Sequence, residues 1–565
     1  MKKIFKYFSL FVIISIITSC ETTELDLTVN PNQVGQEDVD PDFLFNNVQL
    51  SFYNFVEQAA GFTSFASDLT RMHAATGGAI YSEAYSPLGF DAVWEAAYAD
   101  VLKDISSLEP LAADINLTYH QGVSKVIKAY TIVTLVDLFG DVPFSEALQG
   151  NDNLNPNADD QAQIYIDALN ELDLAIALLN TEPSSFPPLD LFYGLGGDGT
   201  DATTQAKWVT AANTLKLKIY LTARLNGTAI NTDIASEINT LIAEGNLIDA
   251  ADEDWQLNYG GNRQNPDNRH PAYSTFYEND PGGQYVSNYY MWTMLFEKPL
   301  EDPRTPFYFF RQDLDATNED NFTLQCATAA TPPHYFGVTS QYDGNNTVVP
   351  FCVTDINRGY WGRDHLDNAG LPPDSNKRTV MGLYPAGGKF DDGSGGSVQN
   401  EGADGSGGAG ITPILTSSFV NFMLAEAALT LGTTGDAQVY LTQGIADSFS
   451  KVSNFAGSAE SVGNLALYQS FVDQEYLASM DDEQRLEIVA KEYYLALFGN
   501  GIEAYNMYRR TGYPANLQPS LSPTPGDFYR SALYPSDYVN ANTNASQRQR
   551  TEQIFWDTNP AGFIN

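Results

Sequence analysis

Helical periodicity on both sides of a long aperiodic centre is the feature that most limits how this chain can fold. Over 41–56 the apolar residues Phe43, Leu44, Val48, Leu50, Phe52, Phe55 and Val56 recur at helix-like spacing. The same reading predicts helices over 93–108, 122–139, 162–179, 207–225 and 234–244. In 122–139 the stripe is Val123, Val126, Ile127, Tyr130 and Val133; in 162–179 it is Ile164, Leu169, Leu172, Ile176 and Leu179. Periodicity then fails from about 250 to 412, where Gly, Pro, Asn, Asp and aromatic residues dominate. It returns over 415–430, 437–452, 466–478 and 483–498. A centre of that length is too long for a connection within a compact domain. It reads as an inserted irregular subdomain with short strands, closed by a flexible Gly-, Asp- and Ser-rich loop over 387–410.

The fold class is therefore mostly α. Small residues at helix crossings, as in Leu424-Ala425-Glu426-Ala427-Ala428, suggest stacked helical hairpins. TPR-like pairs are the natural candidate and a plain bundle the alternative, because no fixed repeat period stands out. The chain divides into a leader (1–19), a tether (20–40), a helical scaffold (41–249), the irregular subdomain (250–412) and a helical part completing the scaffold (413–565).

Charge narrows the partners. Lys and Arg number 29 against 71 Asp and Glu, a net charge of −42. Such a surface repels phosphate backbones and argues against nucleic acid, while neutral or cationic ligands are favoured. With 43% hydrophobic and 12% aromatic residues the chain is globular, not a disordered acidic polymer.

The N-terminus reads as an export signal. Lys2, Lys3 and Lys6 precede an apolar run over 8–17, followed by the small residues Thr18 and Ser19. The run is too short to cross a bilayer, which needs roughly 20 apolar residues. Ile17-Thr18-Ser19-Cys20 resembles the lipobox of bacterial lipoproteins, which implies a lipid on Cys20 and anchorage to a membrane. The stretch after Cys20, with Asn30-Pro31-Asn32, reads as an extended tether. In an exported chain the remaining Cys326 and Cys352 invite a disulfide, with two free thiols as the alternative.

No catalytic constellation emerges. His73, His120, His270, His334 and His365 form no HExxH or other zinc spacing. There is no G-x-S-x-G elbow and no P-loop. The G-x-G-x-x-G over 194–199 follows a Pro-rich loop rather than a strand. No cofactor is expected. Carboxylate pairs such as Asp391-Asp392 are abundant and single out no glycosidase pair without geometry, while the Asp-rich loops offer oxygen ligands suited to Ca²⁺ but, without EF-hand spacing, read as solvated loops.

A series of motifs, in order along the chain, resembles the SusD/RagB family of nutrient-binding outer-membrane lipoproteins. They begin with Asp137-Leu138-Phe139-Gly140-Asp141-Val142-Pro143-Phe144-Ser145-Glu146-Ala147. Trp208 with Ala212-Asn213-Thr214-Leu215-Lys216-Leu217-Lys218 follows, then Asp302-Pro303-Arg304. Gly362-Arg363-Asp364-His365 with Gly370-Leu371-Pro372-Pro373-Asp374, and Ala425-Glu426-Ala427, come next. Glu503-Ala504, Arg509-Arg510-Thr511-Gly512-Tyr513-Pro514 and Tyr534-Pro535 close the series. The resemblance implies a SusD-like helical scaffold with TPR-like hairpins and an irregular ligand-binding region. It also implies a location on the outer membrane facing the medium, and a SusC-like TonB-dependent β-barrel partner. The protein would capture oligosaccharide, or alternatively peptide, and not act as an enzyme; a surface glycosidase is the remote alternative. The motifs themselves read as scaffold, with Arg304 and Arg510 pairing with carboxylates.

For a sugar, aromatic faces cover the C–H surface and polar side chains bond the hydroxyl rim. Exposed loop aromatics are the candidates: Trp361, Tyr360, Trp292, Tyr290, Tyr81 and Tyr85, with Arg71 and Asn288 as polar partners. Trp94 and Trp208 lie on apolar helix faces and read as core.

Overall fold

The structure is a computed structural model. It describes residues 39–194, 199–264, 266–278, 284–314, 334, 359–368, 377–398, 404–456 and 462–564. Cys20, Cys326 and Cys352, the leader and nearly all of the tether lie outside these residues.

The fold is mostly helical. The principal helices are α1 (Pro41–Ala59), α2 (Lys103–Asp114), α3 (Thr118–Phe139), α4 (Gln161–Leu179), α5 (Ala202–Thr222) and α6 (Ile234–Glu244). After the centre come α8 (Ser417–Leu431), α9 (Ala437–Ala456), α10 (Leu465–Ala478), α11 (Asp482–Ala496) and α12 (Gly501–Thr511). Local chemistry fixes their ends. Asp40 caps α1 by accepting from the Asp42 N–H (3.0 Å), with Pro41 at the first position. Asp201 and Thr204 form a reciprocal capping box on α5. Gly140 ends α3 at φ 75°, where a Cβ would meet the Arg548 guanidinium at 2.4 Å. Consecutive helices pack in pairs, α3 on α4, α8 on α9 and α10 on α11.

Two details depart from the periodicity. The segment expected as one helix over 93–108 runs through Asp91–Glu95, a π-helical stretch Ala96–Leu102 and then α2, which carries Pro110 inside it. In α1 the buried face is Phe45, Val48, Phe52, Phe55 and Val56, whereas Phe43 and Leu50 stand outward at 70% and 58% exposure. A seven-residue separation puts these two on one side, opposite the core stripe.

The centre contains more regular structure than its sequence suggests. β1 (Trp255–Asn258) pairs antiparallel with β4 (Ile411–Leu415), Leu257 opposite Thr412 and Asn258 opposite Ile411. This ribbon joins the two ends of the central stretch. β2 (Phe309–Phe310) pairs with β3 (Val380–Met381). Between β1 and β2 along the chain, α7 (Asn288–Leu295) is a helix with all eight residues buried. A helix buried all round has no polar face, so it leaves no amphipathic period to detect.

Trp255 locks the ribbon to the scaffold. Its ring stacks on Phe52 of α1 (5.6 Å, 17°) and meets Tyr130 of α3 and Trp208 of α5 edge-on, each at 5.4 Å. Trp208 is fully buried, and Trp94 is partly buried against the core. The family-like motifs form buried ion pairs. Arg510 reaches Glu426 (2.8 Å) and Glu503 (3.1 Å), and Arg304 reaches Asp302 (2.7 Å). Burial pushes the Glu426 carboxyl up, but Arg510 and Arg224 outweigh it and hold it below its ordinary range.

Candidate functional site

The eight residues singled out from the sequence do not form an exposed platform. Seven are at most 4% exposed: Arg71, Tyr81, Asn288, Tyr290, Trp292, Tyr360 and Trp361. Tyr85 is partly buried, its hydroxyl donating to Asp68 (3.1 Å). The structure nevertheless brings several of them together. Asn288, the first residue of α7, donates to Asp364 (2.7 Å) and accepts from the Gly362 N–H (3.2 Å). Gln518 donates to the same Asp364 carboxylate (3.2 Å), and its backbone carbonyl accepts from Arg71 (2.9 Å). Tyr81 lies 3.1 Å from His365 Nε2. Burial, reinforced by Arg71, drives the His365 pKa well below the ordinary histidine value, so the ring stays neutral.

The aromatic members serve the interior. The Tyr290 hydroxyl donates to the Leu495 carbonyl (3.1 Å), and the Trp361 backbone pairs with Thr379 (2.7 Å). Arg311 covers the Tyr360 ring (4.8 Å), and Trp292 packs near Tyr289 (6.1 Å). Their loop-like sequence context concealed a hydrogen-bonded seam. Tyr81 borders a cavity of about 420 Å³ beside Phe528 and Arg530.

A larger cleft, about 790 Å³, opens between α1 and the 258–271 loop. That volume falls within the range of small-molecule sites. Tyr53 and Tyr259 are both partly exposed and meet edge-to-face at 5.7 Å. Asn54 and Gln58 on the outer face of α1 and Asn268 on the loop present exposed side-chain amides. Gly260 allows that loop to close: a Cβ there would meet the Asn268 amide at 2.5 Å.

The tyrosines are held from behind. Tyr53 accepts from the Asn258 N–H (3.1 Å). Tyr259 donates to Glu57 (2.8 Å), and the Thr412 hydroxyl donates to the same oxygen. His270 Nδ1 accepts from the Ala272 N–H (3.0 Å), which leaves the proton on Nε2, 3.1 Å from the Thr412 hydroxyl. The relay therefore runs from His270 through Thr412 to Glu57. Burial lowers the His270 pKa, against the pull of Glu57, consistent with a neutral ring. Burial also pushes the Tyr53 hydroxyl up to about 12 and Tyr259 well above its ordinary value. Both phenols stay neutral, and the cleft lining sets rings, amides and hydroxyls beside the charged Glu57, Asp267 and Arg269.

Sequence reasoning missed this site because α1 and the loop are about 200 residues apart. The outward Asn54 and Gln58, one helical turn apart, were the available signal. The Asp-rich loop is internally engaged: Asp391 accepts from Arg311 (2.7 and 2.9 Å), and Asp392 from the Ser394 N–H (2.9 Å). Among the described residues no group of His, Cys, Asp or Glu is arranged to hold a metal ion, and no helix is long and apolar enough to cross a membrane.

The chain belongs to the SusD-like family, described as starch-binding and associating with the outer membrane, whose pattern matches residues 31–527. No curated protein matches the sequence. Among solved structures, a chitin-binding SusD homologue from Flavobacterium johnsoniae aligns with TM-score 0.64 and 18% identity, over 92% of this chain and 98% of that one. A SusD/RagB family protein from Bacteroides thetaiotaomicron aligns at 0.62 and 19%, over 92% and 100%. A SusD homologue from Bacteroides fragilis gives 0.62 and 18%, over 92% and 99%.

Proposed function

We propose that this chain is tethered to the outer membrane through a lipid on Cys20, facing the medium. There it captures neutral oligosaccharide in the cleft between α1 and the 258–271 loop and passes it to a SusC-like TonB-dependent β-barrel. It acts by binding, without turnover. The observation that carries this reading is the cleft itself, which sets two partly exposed tyrosines among three side-chain amides. Sugars need apolar faces beside hydrogen-bonding rims, and this combination supplies both. Family membership supports the barrel partner, and the chitin-binding relative supports a glycan ligand. The seam around Asn288 and Trp361 acts as the rigid wall that fixes the neighbouring loops.

Calorimetry of the lipid-free chain against glycan and peptide panels tests the ligand class. Binding of a chito-, malto- or xylo-oligosaccharide that weakens in the Asn54→Ala/Gln58→Ala variant supports the reading. Peptide binding with no glycan binding replaces the sugar, and measurable glycan turnover overturns a purely binding role. Separately, Cys20→Ala releases the protein from cells without changing ligand affinity; retention of that variant on cells counts against the anchor.

A further inference from the structure

A separate cavity of about 260 Å³ lies where α10, α11 and the turn after α7 meet, sharing no lining residue with the sugar cleft. Six charged side chains line it: Glu297, Lys298, Glu475, Glu487, Lys491 and Glu492. Two ion pairs are internal, Lys298 with Glu492 and Lys491 with Glu297, each at 2.8 Å. Glu475 and Glu487 have no ion-pair partner among the described residues, so the cavity carries a surplus of negative charge.

Glu297 supplies the second observation. Its Oε1 accepts from Lys491 and from Asn516 (2.7 Å). Its Oε2 is buried with no hydrogen-bond partner, although the side chain is only 4% exposed. Glu487 Oε1 is also buried without a partner. Carboxylate oxygens taken from water without a donor are unfavourable, and two of them on one cavity wall mark a place for a donor. The resident lysines are committed elsewhere. Lys491 is 3.0 Å from both the Tyr289 hydroxyl and Asn516 Oδ1, and Lys298 is 3.1 Å from the Tyr468 hydroxyl.

We propose that this cavity binds a primary ammonium group, which donates to Glu297 Oε2 and Glu487 Oε1 and offsets the surplus charge. An ammonium brings three donors and no acceptor, which suits two bare carboxylate oxygens. At about 30 Å³ per water, the space equals roughly eight or nine waters. That admits a small diamine or a single amino sugar and excludes a folded polymer. A metal ion is disfavoured because the described residues contain no cluster suited to hold one.

The electrostatics agree with the geometry. Burial pushes Glu487 up to about 7, against the pull of Lys491 and with repulsion from Glu297. Burial also raises Glu475, against Lys298 and with Glu492 and Glu297 adding to it, and it lowers Lys491 against Glu297. Tyr513, near Glu487 and Glu483, adds no positive charge. A bound ammonium favours the ionised carboxylate, so affinity rises with pH between 6 and 8.

Calorimetry of the full chain with 1,4-diaminobutane, glucosamine and N-acetylglucosamine at pH 6 and 8 tests this. We expect an amine to bind at pH 8 and at least about fivefold more weakly at pH 6. Glu487→Gln is expected to reduce its affinity about tenfold while oligosaccharide affinity stays unchanged. Diaminobutane binding alone identifies a free amine, and glucosamine binding alone identifies a sugar amine; N-acetylglucosamine competing equally with glucosamine overturns the proposal. So does the absence of amine binding at pH 8, or an unchanged affinity in Glu487→Gln. If that variant fails to fold, the exposed Glu475→Gln reports on the same surplus charge: affinity falls if the proposal holds and is unaltered if it does not.

Discussion

Around Asn288 and Trp361 the molecule gathers rings and polar groups into a closed seam; between α1 and the 258–271 loop it leaves fewer rings in an open cleft. The seam is richer in the residue types that recognise sugars. Its groups are already occupied, as Asn288 holds Asp364 and Gly362, Tyr290 holds Leu495, and Trp361 pairs with Thr379. In the cleft the tyrosine hydroxyls are tied from behind, while the amides of Asn54 and Gln58 face solvent. Aromatic density therefore marks packing as readily as recognition. What distinguishes the two is whether polar groups beside the rings remain available.

The largest expected effect separates the regions by stability. Trp361→Ala should cost about 3–5 kcal/mol in urea unfolding, as for other buried large aromatics. A neutral result combined with lost glycan affinity, in this variant or in Trp292→Ala, would invert the comparison. Next, Tyr259→Ala should weaken oligosaccharide binding about tenfold, or ~1.4 kcal/mol. Tyr259→Phe should keep most of that affinity, since the ring remains; an equal loss in both would assign the effect to the Glu57 bond instead. The Asn54→Ala/Gln58→Ala variant should lower affinity a few-fold and change stability by less than about 0.5 kcal/mol per site, because both positions are exposed. A large drop in melting temperature would show that the cleft rim is also a packing element.

The smallest effect concerns pH. Burial holds both His365 in the seam and His270 behind the cleft below the ordinary histidine pKa. As pH falls below about 6.5, the unfolded chain takes up protons that the folded chain refuses, so each ring contributes a loss of stability on acidification. Glu487, raised to about 7, acts oppositely: the folded state holds its proton when the unfolded state has released it, so its contribution favours folding as pH falls. Melting curves at pH 7 and 5 should therefore show a smaller acid-induced loss in His365→Gln than in the parent chain. An unchanged slope would mean that His365 is protonated in the folded state.

Much of the scaffold was legible because helices such as α4 and α6 keep one wet face. The stripes of α3 and α4 and the Gly140 terminus carry local signals, whereas the helix read from 207 begins at Ala202, behind the Asp201 capping box. The pairing of Arg304 and Arg510 with carboxylates also followed from their type and setting. Helix α7 did not show itself, since its Tyr289, Tyr290, Met291 and Trp292 are buried on every side. The cleft was illegible for a different reason. Tyr53 and Tyr259 become neighbours only after β1 and β4 pair and Trp255 docks on Phe52, contacts that no local window contains.

That dependence has a kinetic consequence. The Glu57 carboxylate is fixed by Thr412 on β4 and by Tyr259 just beyond β1, so three distant parts of the chain must meet before the cleft exists. Contacts of such sequence separation form late, after the local helices have closed. A chain arrested before the ribbon pairs would have most of its helices and no affinity. Ligand binding by this protein should thus report that folding has gone to completion, a more demanding readout than helical content.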